Sequence, residues 1–195
     1  MRGSVSKAPL LQGDGLGAVR GERVLFRDVS VTVNSGELVL LRGANGSGKT
    51  TLLRQLAGVS EVQAGTIHRA GLHHWIGHTN GLKAHETPRR HLRHWASVWG
   101  CTRDIRAILT EIGMARPANV PCRMLSAGQK RRTALARLAL EDRKLWLLDE
   151  PFNALDTDGQ TLLAQRIEAH RASGGAVIAA LHGSSPIVAD SEVTL

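Results

Sequence analysis

Nine residues, Gly43-Ala44-Asn45-Gly46-Ser47-Gly48-Lys49-Thr50-Thr51, constrain this chain more than any others. They follow an apolar run, Leu38-Val39-Leu40-Leu41, and precede a helix-like run, Thr51-Leu52-Leu53-Arg54-Gln55-Leu56-Ala57. Strand, glycine loop and helix in that order is the context a phosphate-binding loop requires, and all fixed positions of G-x-x-x-x-G-K-[ST] are met. The glycines let successive backbone N–H groups turn toward one anion. The N-terminus of the following helix adds partial positive charge at the same place. Lys49 supplies a full charge for β- and γ-phosphates, and Thr50 a hydroxyl for Mg²⁺.

The chain has 195 residues, which fits one domain, alone or with a small inserted subdomain. Its formal charge is +8, from 25 Lys+Arg against 17 Asp+Glu. That excess suits a polyphosphate, a nucleic acid or an anionic membrane surface and does not choose among them. No apolar run reaches the roughly 18 residues of a membrane span. No charged-then-apolar signal segment opens the chain. Cys101 and Cys122 have neither metal nor redox spacing, so a reducing, cytosolic setting is expected.

Residues 1–10 carry no periodic pattern and read as a leader, with one domain over 11–195. The short alternating runs Val24-Leu25-Phe26 and Val29–Val33, with turns at Gly21-Glu22 and Asn34-Ser35-Gly36, predict antiparallel strands leading into a buried strand over 38–41. The helix after Lys49 should end at Gly58, with Leu52, Leu53, Leu56 and Ala57 on the sheet side. A strand is expected over 73–77. From about 84 to 140 the apolar period becomes helical, marking a small helical insert. Thr87-Pro88 caps one helix that carries Leu92, Trp95, Ala96 and Trp99. A second helix is expected over 102–112, and Ser126 caps a third. Strands over 144–150, 176–181 and 193–195 and a helix over 158–172 complete the α/β pattern.

The apolar run Lys144-Leu145-Trp146-Leu147-Leu148 ends in Asp149-Glu150. A carboxylate at a strand end near a phosphate loop, here Asp149, can hold Mg²⁺. The next, Glu150, can take a proton from an attacking water. Upstream lies Leu125-Ser126-Ala127-Gly128-Gln129, which is similar to the signature motif of ABC-type ATPases. Gly43–Thr50 matches that family's phosphate loop and Leu145–Glu150 its Mg²⁺ strand and catalytic glutamate. Asn153-Ala154-Leu155-Asp156 resembles its D-loop, and His182 its switch histidine. The resemblance covers about residues 20–195. It implies a P-loop NTPase core of the ABC type, with ATP and Mg²⁺ as cofactors. It also implies a head-to-tail dimer in which Ser126, Ala127, Gly128 and Gln129 of one copy meet the ATP held by the other. Two positions depart from the family. Thr79 stands where a glutamine is usual, with Asn80 beside it. The adenine-stacking tyrosine is missing, since the chain has none, leaving Arg20 or Arg23 to stack instead.

Short length, Ala127 in the signature, and the segments Trp75–His78, Gly81–Lys83, Leu145–Phe152 and Arg20–Phe26 resemble one subfamily. It comprises the ATP-binding subunits of the bacterial heme exporter of cytochrome c maturation. The resemblance implies integral membrane transporter subunits as partners and a place on the cytoplasmic face of the inner membrane. It further implies ATP-driven release of a heme chaperone, and no nucleic acid partner. The aromatic-basic surface around His91, His94, Trp95 and Trp99 is expected to meet the membrane subunit rather than to ligate heme. Two other readings stay open on sequence: a nucleic-acid-acting ABC ATPase, motivated by the charge, and a non-hydrolysing scaffold, motivated by the missing glutamine.

Overall fold

A computed structural model describes residues 8–183 and 186–195. The chain divides into two compact units. The first holds residues up to 75, 143–149 and 167–195, and the second holds 76–142 and 150–166.

Two sheets build the first unit. The smaller has three antiparallel strands in the order β2-β1-β4: β1 (Leu11–Arg20), β2 (Arg23–Val33) and β4 (Ala64–Arg69). The short runs expected over 24–26 and 29–33 are one continuous strand. A bulge at Asp28, φ 53°, lets β2 carry one extra residue between Phe26 and Val29 without losing its pairing to β1. Strand β1 itself, rich in glycine, carries little alternation in its sequence. Residues 1–7 of the expected leader lie outside the described residues. Leu10 is no longer leader, since its N–H donates to Val33 O at 2.9 Å.

The larger sheet has five strands in the order β5-β6-β7-β3-β8: β3 (Leu38–Arg42), β5 (His73–Ile76), β6 (Leu145–Asp149), β7 (Ala176–Ala180) and β8 (Ser191–Thr194). Strands β6, β7, β3 and β8 run parallel. Every residue of β6 and β7 is buried, which is why both read as unbroken apolar runs. Helix α1 (Lys49–Leu56) lays Leu52, Leu53 and Leu56 into the core between the sheets, with Leu11, Leu16, Val39, Leu41, Leu147 and Ile178.

The second unit is mainly helical. It contains α2 (Pro88–Trp99), α3 (Ile105–Glu111) and α4 (Ala127–Leu135), with short 3-10 turns over Arg116–Asn119, Cys122–Met124 and Ala136–Ala139. Thr87 caps α2 with proline at its first position, as the sequence predicts. Helix α3 starts at Ile105 rather than near 102, because the Asp104 carboxylate caps the N–H of Arg106. Leu92, Ala96, Ile108, Leu109, Ile112 and Met114 form a separate core. Helix α5 (Thr157–Ala172) begins in this unit and ends in the first.

Candidate active site

In the first unit, parallel pairing fixes where the chemistry sits. Leu41, Ala180 and Asp149 lie in one row across β3, β7 and β6. The phosphate loop leaves β3 just past that row, Asp149 ends β6 on it, and His182 follows β7. All three therefore stand at the carboxyl ends of parallel strands, where open α/β sheets bind ligands. Asp149 is buried at 1% exposure, and His182 is exposed. The Thr50 hydroxyl, 99 residues away in sequence, donates to the Asp149 carboxylate at 2.9 Å.

The loop is wound for an anion. Gly43 has φ 141° and a Cβ there would lie 2.6 Å from Leu195 O, so no side chain fits. Gly48 caps α1 at φ 110°, and a Cβ on it would strike Phe26 at 2.8 Å and Leu25 at 3.1 Å. Strand β2 thus presses against the loop. The Lys49 ammonium, 5% exposed, donates to Gly43 O at 2.7 Å and Ala44 O at 2.9 Å. Among the described residues the buried Ser47 Oγ has no hydrogen-bond partner. An ammonium seated in the glycine loop and an orphaned hydroxyl beside it both fit a bound phosphate. Ala44, Asn45 and Gly46 are exposed at the loop's rim, and Thr51 is half-buried behind it. Asp149 and Thr50 offer one carboxylate and one hydroxyl, a hard oxygen set that fits Mg²⁺ completed by phosphate and water. Arg20 and Arg23 face each other across the β1–β2 turn, both exposed.

In the second unit the signature forms a capping box. Ser126 Oγ accepts from Gln129 N at 3.2 Å, and Gln129 Oε1 accepts from Ser126 N at 3.0 Å. Ser126 and Ala127 are exposed, whereas Gly128 lies under the chain: a Cβ there would sit 2.8 Å from Ala154 O. That contact explains why the signature keeps glycine at 128 yet takes alanine at 127. Glu150 and Ala154 both adopt left-handed backbone, φ 48° and 62°. Such strain costs on the order of 1–3 kcal/mol per residue and gathers at functional sites.

Arg131, which no motif in the sequence singles out, is 3% exposed. Its guanidinium donates to Gly77 O (2.9 Å), Asn80 Oδ1 (3.2 Å), Glu150 O (2.9 Å) and Pro151 O (3.2 Å). Asn80 is thereby engaged, while Thr79 is exposed. The Glu150 carboxylate accepts from Asn153 and has His78 Nδ1 at 3.4 Å. Asp156 pairs with Arg132 and accepts from Gly159 N, which holds its carboxyl below the usual range. The only signal for Arg131 was a basic residue on the inward face of a capped helix. For Asn153 it was a short polar side chain three residues past Glu150.

Residues 26–153 match the ABC transporter family. The chain belongs to that family. This ABC protein is 55% identical over 192 residues to the Cytochrome c biogenesis ATP-binding export protein CcmA of Hyphomonas neptunium, covering 98% of this chain and 100% of that one. It is 41% identical to the protein of that name in Methylococcus capsulatus, over 95% of this chain and 97% of the relative. A solved structure described as the ATP binding subunit of an ABC transporter superposes with a TM-score of 0.79 at 26% identity, covering 89% of this chain and 79% of that one. A putative ABC transporter protein of Pyrococcus furiosus shares the fold, with a TM-score of 0.79 at 22% identity over 95% of this chain and 96% of that one. As an ABC ATP-binding subunit the chain binds ATP and is an ATPase of the transport-coupled type. No helix among the described residues is long and apolar enough to cross a membrane.

Proposed function

We propose that this ABC subunit hydrolyses ATP within a membrane complex of cytochrome c maturation, exporting heme or releasing a heme chaperone. It works as a head-to-tail dimer on the cytoplasmic face of the inner membrane. The observation that carries the chemistry is the Thr50–Asp149 contact, which joins the phosphate loop to the end of β6. The cellular assignment is supported by 55% identity to a cytochrome c biogenesis export protein along nearly the whole chain.

In this reading Lys49 and the N–H groups of Gly46 to Thr51 bind the β- and γ-phosphates at the N-terminus of α1. Thr50 and Asp149 hold Mg²⁺, which supplies charge neutralisation along the phosphates when bound. Glu150 takes a proton from water as the water oxygen bonds to the γ-phosphorus. The bond from that phosphorus to the bridging oxygen breaks, and the electron pair leaves with ADP. His182 donates to the γ-phosphate. Ser126, Gly128 and Gln129 of a second copy present the N-terminus of α4 to the same phosphate, so the site is complete only in the closed dimer. Arg20 or Arg23 takes the place of an aromatic against the adenine, at the turn that leads into the strand abutting Gly48.

The test is capture of tagged chain from detergent-solubilised native membranes. Integral membrane subunits should co-purify, and heme chaperone should stay bound when ATP is withheld. Recovery of the chain without membrane subunits contradicts the proposal.

A further inference from the structure

Nδ1 of His78 stands 3.4 Å from Oε2 of Glu150. Asn153 Nδ2 donates to the same oxygen. The His78 side chain is 64% exposed and that of Glu150 only 16%. So exposed a pair contributes little to stability. Its geometry is nevertheless determined by the backbone. Arg131 donates to Gly77 O and Asn80 Oδ1 on either side of His78, and to Glu150 O and Pro151 O on the other strand of the contact. One buried guanidinium therefore sets the main chain beneath both members of the pair. The segment it anchors, 77–80, is the one that carries Thr79 in place of glutamine.

We infer that His78 is a positioning residue for Glu150, acting with Asn153 to hold Oε2 so that the other carboxylate oxygen meets the attacking water. Asn153 donates to Oε2 and His78 Nδ1 approaches the same oxygen at 3.4 Å, which together restrict a carboxylate that would otherwise rotate about its last side-chain torsion, broad for glutamate. Orientation of a catalytic base is worth a sizeable factor in rate, and contacts of this kind tighten once substrate is bound. The inference rests on Glu150 as the general base.

Its test is steady-state ATP turnover by the membrane complex carrying His78→Ala, His78→Asn, Glu150→Gln, or His78→Ala with Glu150→Gln. Thermal unfolding of each variant checks that the fold is kept. His78→Ala should lower kcat by about tenfold with KM for ATP within about twofold of wild type. His78→Asn, whose amide N–H can replace the Nδ1–H donor, should recover most of that loss. On the Glu150→Gln background, His78→Ala should change nothing further. Wild-type kcat in His78→Ala, a loss expressed only in KM, or no recovery by asparagine overturns the inference. If Glu150→Gln is inactive in that case, the role of Glu150 survives. Full turnover by Glu150→Gln overturns both.

Discussion

His91 shows how one side chain ties the second unit to pH. It is 3% exposed, its Nε2 has no hydrogen-bond partner among the described residues, and its ring meets Trp95 edge-on at 6.4 Å. Burial, with Arg137 adding to it, pushes the imidazole down from 6.5 to about 4. Arg137 lies over the Trp95 ring at 5.6 Å, and burial lowers its guanidinium to about 10. Glu86, at 4.0 Å from Nδ1, pulls the imidazole the other way, while His94 and Lys83 push with Arg137. With the folded value depressed, the unfolded chain binds the extra proton between about 6.5 and 4. Stability is therefore full above that window and falls as pH falls through it. Between pH 7 and pH 5 the loss should be on the order of 2 kcal/mol. Urea unfolding of His91→Leu should show a shallower fall than wild type. An unchanged fall places the acid sensitivity elsewhere. The same burial argues against heme ligation at His91, whose ring is enclosed within the α2 core.

At the scale of elements, α4 is held by its cap at one end and by Arg131 near its middle. Arg131→Ala removes the donor to three main-chain carbonyls, one in a buried contact and two in partly buried ones, and a buried acceptor left unpaired costs about 1–3 kcal/mol. The variant should unfold about 1–3 kcal/mol more easily in urea. It should also lose turnover beyond what the remaining folded fraction explains, because the turn at Glu150 loses its anchor. A variant as stable as wild type contradicts the clamp. This clamp was invisible in the sequence, while much around it was legible. The phosphate loop, the cap at Ser126 and the buried run into Asp149 are local patterns whose geometry follows from neighbours a few residues away. The Arg131 contacts and the His78–Glu150 approach join segments 19 to 72 residues apart, so no local period announces them. Strand β1 was indistinct for another reason: its glycines leave no alternation, and only pairing with β2 and β4 makes it a strand.

On the scale of the whole molecule, the phosphate loop and the signature call for a second copy. In the proposed head-to-tail pair, the N-terminus of α4 in each copy would serve the nucleotide held by the other. Under that proposal the pair should form with ATP and part after hydrolysis, and a bond-breaking step would become motion at the membrane subunits. Blocking hydrolysis without blocking binding should therefore trap the closed pair.

The most direct measurement is ATP binding and ATP turnover side by side in the membrane complex, wild type against Glu150→Gln. Binding should be unchanged within a few-fold, with turnover down by roughly 10²–10⁴ and the dimer accumulating in ATP. Turnover that persists at the wild-type rate in Glu150→Gln contradicts the account.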